Sequence, residues 1–183
     1  MKAQGRTCTK DVVTEMGYYK YLEKNFSTKA SEAEQRSRLI RWRQEPAVTR
    51  IIGPTNPARA RALGYKSKVG FVMLRARIGK GGRHREKFTR GRKPSNYGKL
   101  GFYPGAGHQV IVEQRANRVY PNLEVLNSYF IGEDGSYKWF EIILIDPSHP
   151  AIIKDKDVKA KFQKRRAYRG LTGAGKKARG LKA

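Results

Sequence analysis

Residues 123–147 read LEVLNSYFIGEDGSYKWFEIILIDP, and the fold follows from how this stretch is parsed. Val125 to Ile131 and Tyr137 to Ile145 are rich in β-branched and aromatic residues, and Gly132-Glu133-Asp134-Gly135-Ser136 between them are turn formers. Two such runs joined by a short Gly- and Asp-containing link predict an antiparallel hairpin. Glu133 and Asp134 fall at its tip and read as turn residues, not as an acid–base pair. Pro147 and Pro150 close the element, with His149 as a loop residue.

Working upstream, Val69 to Ile78 predicts a further strand. Val69, Phe71, Met73, Arg75 and Arg77 share one face, which changes from apolar to basic, and Val72, Leu74, Ala76 and Ile78 share the other. Asn56-Pro57 before Ala58 to Leu63 and Gly64 supplies an N-cap, a proline at the first helical position and a terminating glycine, so a short helix bearing Arg59 and Arg61 is expected. Ser31 to Glu34 has capping-box spacing and predicts a helix running to Pro46, with Leu39 and Trp42 inward and Arg36, Arg38, Arg41 and Arg43 outward. Gln109 to Asn117 suits either strand, through Val110-Ile111-Val112, or helix, through Glu113 to Ala116, and helix is preferred. Downstream, Asp157 is placed to cap a basic helix containing Val158 and Phe162, and a tail of Gly, Lys and Arg starts at Gly170. The class is therefore α+β: a small domain with an antiparallel sheet and flanking helices, carrying extended basic arms and a C-terminal tail.

Charge is concentrated outside the hairpin. The chain has 183 residues with 40 Lys and Arg against 15 Asp and Glu, a formal net charge of +25. From Arg59 to Lys93 a dense series of cations meets one acid, Glu86, and no acid follows Asp157. Such a concentration costs self-repulsion in the compact state and points to a polyanionic partner, above all a nucleic acid. Residues 79–98 are rich in Gly, Arg and Lys and bury too little apolar surface to offset their ordering entropy, so they read as an arm that orders on its partner. Met1 to Glu15 reads as a disordered leader or a misassigned start, residues 16–158 as a single domain with the internal arm at 79–98, and residues 159–183 as a basic helix and tail.

No run approaches the roughly 18 apolar residues of a membrane span, and Met1 to Glu15 lacks the apolar segment of a secretory signal. The lone Cys8 forms no intramolecular disulfide, and His84, His108 and His149 have no zinc-ligand spacing, so a cytoplasmic protein without metal or cofactor is expected. Gly170-Leu171-Thr172-Gly173-Ala174-Gly175-Lys176-Lys177 falls one residue short of a nucleotide-binding phosphate loop. Lys177 stands where a magnesium-ligating hydroxyl belongs, and no buried strand precedes it. No constellation supports an enzyme. Glycine and forked cations together do suit phosphate: the Gly81-Gly82 backbone permits close approach, and Arg83 and Arg85 present guanidinium donors. Tyr65, Tyr97, Phe102, Tyr103 and Tyr168 are interleaved with the cations and suit either packing or stacking on unpaired bases.

Beyond these local readings, the sequence resembles a known family block by block. The blocks are Met16-Gly17-Tyr18-Tyr19-Lys20-Tyr21; Pro54-Thr55 with Pro57; Ala60-Arg61; Leu63-Gly64-Tyr65-Lys66 with Lys68 and Gly70; Arg75 and Arg77; Gly81-Gly82-Arg83 with Arg85; Val125-Leu126-Asn127-Ser128-Tyr129; Gly132-Glu133-Asp134; Tyr137-Lys138; Ile143 to Pro147; Arg169-Gly170-Leu171-Thr172; Ala174-Gly175; and Arg179-Gly180-Leu181. In this order they resemble large-subunit ribosomal protein 15 of the archaeal and eukaryotic type, which is unrelated to its bacterial namesake. The resemblance implies a non-enzymatic α+β domain in the cytoplasmic ribosome, with large-subunit rRNA and neighbouring ribosomal proteins as partners. Lys99 to Asn122 resembles the family only loosely.

The expected function is to bind and stabilise folded rRNA by phosphate neutralisation. The competing reading is a DNA-binding chromosomal protein, for which bulk charge speaks equally well. The expected RNA-binding residues are Arg59, Arg61, Lys66, Lys68, Arg75, Arg77, Arg83, Arg85, Arg90, Arg92, Lys93, Arg165, Arg166, Arg169, Lys176, Lys177 and Arg179.

Overall fold

The structure, a computed structural model, describes Tyr18, Tyr21 and residues 30–81, 90–91, 105–159 and 163–181. Met1 to Glu15 and most of the arm at 79–98 lie outside the described residues. Four strands, β1 (Val48–Ile51), β2 (Phe71–Gly79), β3 (Glu124–Glu133) and β4 (Tyr137–Ile145), form one antiparallel sheet in the order β1-β2-β4-β3. Around it lie α1 (Ala30–Gln44), α2 (Pro57–Ala62), α3 (His108–Val119), α4 (Pro150–Ile153), α5 (Lys156–Lys159) and α6 (Gly173–Ala178). The architecture is α+β, as the pattern of elements implies.

The hairpin forms as read, with Glu124 opposite Ile145 and Glu133 opposite Lys138. Asp134 shapes its turn, because its Oδ1 accepts the Ser136 and Tyr137 backbone N–H groups at 2.7 and 2.5 Å. Strand β2 starts at Phe71, two residues later than the apolar run suggests. Gly70, at φ 96°, turns the chain there, and its carbonyl accepts the Asp146 N–H at the far end of β4. The ambiguous segment 109–117 is helical, within α3. Helix α2 has the expected cap, the Asn56 side chain accepting from the Arg59 N–H at 3.0 Å. Ser31 lies one residue inside α1 rather than before it.

Both faces of the sheet are covered, which is why β4 is buried from Trp139 to Ile145. Leu74, Ala76, Ile78, Phe140, Ile142 and Leu144 point toward α3, where they meet Val112 and Ala116. On the opposite face Met73, Ile143 and Ile145 form a second core with Ala60 of α2, Ile152 of α4 and Val158 of α5. A bulge in β3 sets Leu126 and Asn127 opposite the single residue Ile143, so Ser128 rather than Asn127 faces α3, while Val125 and Leu126 alternate between the α3 core and the second one. Each fully buried Leu, Ile or Val contributes about 1.5–3 kcal/mol relative to exposure, so the two cores dominate stability.

Two carboxylates sit inside these layers. Glu141, fully buried in β4, accepts from the Thr55 N–H at 3.0 Å and from the Thr55 and Tyr129 hydroxyls. Glu113, fully buried on α3, accepts from the Ser128 hydroxyl of β3 at 2.5 Å and from the Thr172 hydroxyl at 2.6 Å. Thr172 is also the N-cap of α6, its Oγ1 accepting from Gly175 N–H. The C-terminal tail therefore folds back: Ala167, Thr172 and Gly175 are buried, and α6 rests on α3 and β3.

One capping assignment moves by two residues. Asp157, expected to cap the helix that follows it, lies inside α5, and Asp155 takes the capping position with its Oδ1 accepting from Asp157 N–H at 3.3 Å. Phe162 lies outside the described residues.

Burial pushes the Glu113 and Glu141 carboxyls above their ordinary value of 4.5, with the donors around them opposing the shift only partly. A carboxyl whose folded pKa is raised favours folding in its protonated form. Its contribution is full below about pH 4.5 and is lost as pH rises through the folded value. Glu113→Gln mimics that form and keeps hydrogen-bonding capacity toward both hydroxyls. We expect its stability relative to wild type, read by urea unfolding, to improve between pH 4 and pH 7; a difference independent of pH would contradict this role for Glu113.

Candidate nucleic-acid interface

What each cation touches divides the candidate residues into two groups. In the first, the partners are intramolecular. Lys66 Nζ bonds Asp155 at 2.8 Å and Asp157 at 2.8 Å, and Lys68 Nζ reaches Asp155 at 3.4 Å. Hydrogen bonds to Asp155 and Asp157 raise the Lys66 ammonium pKa, and the same contact with Lys66 lowers that of Asp155. Arg75 donates to Glu45 through Nη2 at 2.7 Å and Nε at 3.2 Å, with its guanidinium 4.6 Å from the Trp42 ring centre. Arg77 donates to the Arg43 carbonyl at 2.5 Å and lies 5.0 Å over the Tyr137 ring. The face of β2 that turns basic is thus covered by α1, whose Trp42 packs 6.1 Å from Trp139. Arg166 is buried at 8% exposure and donates to the Leu171 carbonyl at 3.2 Å. Burial lowers its pKa, opposed by the charges of Glu124 and Glu113.

The second group faces outward. Arg59, Arg165, Arg169, Lys176 and Lys177 are exposed, and among the described residues no acid pairs with them. Arg61 and Arg90 are exposed as well, and Arg179 is exposed while donating to the Gly170 carbonyl at 3.0 Å. Arg83, Arg85, Arg92 and Lys93 lie outside the described residues.

Local structure accounts for the outward group. Helix α2 buries Ala60 and leaves Arg59 and Arg61, on either side of it, in solvent. In the C-terminal segment, the Glu124 carboxylate accepts the backbone N–H of Arg165 at 2.8 Å and of Arg166 at 3.3 Å. That contact holds Arg165 at φ 56°, a conformation uncommon for a residue with a side chain. The Tyr168 hydroxyl donates to the Gln114 carbonyl at 3.0 Å, tying the same turn to α3.

The glycine-lysine segment is a structural turn. A Cβ on Gly175 would stand 2.6 Å from Gly170 Cα, so the backbones touch where a phosphate loop would open around its ligand. Thr172, which a nucleotide site would leave accessible, is buried against Glu113. Glu133 lies between Lys80 and Lys138, at 3.1 Å from each, and His149 is an N-cap whose Nδ1 accepts from Ala151 N–H at 3.2 Å. Among the described residues, no group of three or more His, Cys, Asp and Glu is arranged to hold a metal ion, and no helix is long and apolar enough to cross a membrane.

Of the interleaved aromatic residues, Tyr65 packs edge-on against Phe71 at 6.0 Å, and Tyr168 is 44% exposed. Tyr97, Phe102 and Tyr103 lie outside the described residues. Sequence reasoning did not single out Arg118, which lies with Arg165, Tyr168, Asn117 and Pro121 around an open groove of about 500 Å³. The signal was available once α3 was read as a helix: Val110, Glu113 and Asn117 mark the buried stripe, and Arg115 and Arg118 fall off it.

Residues 17–183 match a family model described as Ribosomal L15, so the match takes in both core layers, the arm and the C-terminal segment. The chain belongs to that family, whose members are structural ribosomal proteins of the large subunit and act in translation.

The two groups of cations have different consequences for folding. Arg75→Ala, which strands Glu45, and Arg166→Ala, which empties a buried position, should each cost about 1–3 kcal/mol in denaturant unfolding. Arg169→Ala and Lys177→Ala should stay within about 0.5 kcal/mol of wild type. Equal effects from the two pairs would contradict the division.

Proposed function

We propose that this member of the Ribosomal L15 family binds and stabilises folded large-subunit rRNA by neutralising phosphates where RNA segments approach one another. It binds and performs no turnover, and its setting is the cytoplasmic ribosome with neighbouring large-subunit proteins. In this reading residues 16–158 are one domain, residues 79–98 an RNA-ordered arm, and residues 159–183 a basic extension docked on the domain.

One observation carries the proposal. Every carboxylate whose side chain is described has an intramolecular partner, whereas Arg59, Arg165, Arg169, Lys176 and Lys177 are exposed without one among the described residues. Unpaired cations held on a rigid scaffold suit phosphate contact. They form the first rank of proposed contacts, with Arg61, Arg90 and Arg179. Arg83, Arg85, Arg92 and Lys93 complete the surface through the arm. Lys66, Lys68, Arg75, Arg77 and Arg166 act in the same site mainly by positioning what carries it, since their own charges are already engaged.

Salt dependence tests this directly. Each phosphate contact adds about 0.7–0.9 to the slope of log affinity against log salt. The double variant Lys176→Ala/Lys177→Ala should reduce the slope for an rRNA fragment by about 1.4–1.8 while leaving unfolding unchanged. A slope near zero for the wild-type protein would overturn the proposal. Stronger crosslinking in cells to DNA than to RNA would transfer it to the chromosomal reading.

A further inference from the structure

We propose that the groove between the C-terminal end of α3 and the turn at 165–168 holds one unpaired base of the RNA, stacked on Tyr168, with the adjoining phosphate between Arg118 and Arg165. The inference rests on the RNA-binding reading above and adds a base-specific contact to it.

The groove has the size and lining for such a ligand. Its volume of about 500 Å³ falls within the roughly 300–1,000 Å³ common for small-ligand sites. It is lined by Asn117, Arg118, Pro121, Arg165 and Tyr168, two forked cations and no acid. Pro121 offers an apolar surface without an N–H, and Tyr168, a residue 44% exposed, lines the groove with it. Because the Tyr168 hydroxyl already donates to the Gln114 carbonyl, what remains available is the ring itself. An exposed aromatic ring flanked by guanidinium groups is the arrangement on which splayed RNA bases stack.

The walls are also held in place before any ligand arrives. Asn117 donates from Nδ2 to the Leu123 carbonyl at 2.7 Å, fixing the end of α3 to the start of β3. Glu124 accepts the Arg165 and Arg166 N–H groups and so maintains Arg165 at φ 56°. Pre-ordering reduces the entropy lost when the ligand binds. A duplex phosphate ridge requires cations alone, and the α6 residues Lys176 and Lys177, with no aromatic beside them in that helix, suit it. The α3 groove combines concavity, a ring and cations, and so fits a nucleotide that has left its stack.

The test compares two strands of equal charge, a uridine decamer and an abasic ribose-phosphate decamer, binding to the full-length protein. Wild type should favour the base-bearing strand by about tenfold. Tyr168→Phe should keep this preference, Tyr168→Ala should abolish it, and Arg118→Ala should weaken both strands. Equal affinity of wild type for the two strands, or a preference that survives Tyr168→Ala, overturns the inference while salt-dependent binding of both leaves the RNA-binding reading standing. Absence of salt-dependent binding to either strand overturns both. A measurement independent of variant folding uses the wild-type protein with a 4-thiouridine strand: crosslinks should map to the peptide containing Tyr168, and crosslinks found only elsewhere overturn the inference.

Discussion

Carboxylates are the scarce component of this molecule, and the fold depends on where they are placed. With 15 acids against 40 Lys and Arg, the compact state must overcome its own repulsion. It does so by giving each described carboxylate an internal task. Asp134 closes the hairpin turn and holds Arg43 at 2.7 Å; Glu45 fixes Arg75; Asp155 and Asp157 gather Lys66; Glu124 captures two backbone N–H groups. None of these acids forms an ion pair with Arg165, Arg169, Lys176 or Lys177, so those side chains keep their positive charge available.

Glu113 and Glu141, neither of which has a direct ion pair, are the most deeply placed of the described acids. Burying a carboxylate is costly, and hydrogen bonds from neutral donors offset only part of that cost, which is why the pKa of Glu113 and Glu141 is raised. In return each joins elements that are distant in sequence. Glu141 links the centre of the sheet to the 52–56 loop through Thr55, and Glu113 links α3 to β3 and to the C-terminal segment. The contact through Thr172 converts a basic tail into a docked helix, and the close approach of Gly175 to Gly170 gives that helix its tight entry. The position of the outward cations is thus set by a buried, neutralising network beneath them.

Much of the fold was legible locally. Turn chemistry identified the hairpin, alternation identified β2, and Asn56-Pro57 with Gly64 identified α2, because each signal depends on residues adjacent in sequence. Helix α3 was harder, since Val110-Ile111-Val112 suits a strand equally well until burial on one side decides the period. The start of β2 was displaced by two residues because Gly70 acts through Asp146, far along the chain, and the cap of α5 because Asp155, two positions before Asp157, is an equally good capping residue. Within the site, the sequence located the cations but did not separate those engaged with acids and rings from those facing outward. Arg75 and Arg169 look alike in sequence; only the approach of α1 places Trp42 and Glu45 around the first.

By itself the sequence determined the class of fold, the excess and unevenness of positive charge, and the family blocks, because composition, turn residues and periodicity are local properties. Only the tertiary structure decided which carboxylates are buried, that the basic tail folds back on α3, and that Arg118 meets Arg165 and Tyr168 at one groove. Those outcomes depend on contacts between segments tens of residues apart, such as Glu113 with Thr172 and Glu124 with Arg165. Their energies come from burial and geometry that exist only once the sheet has brought the segments together.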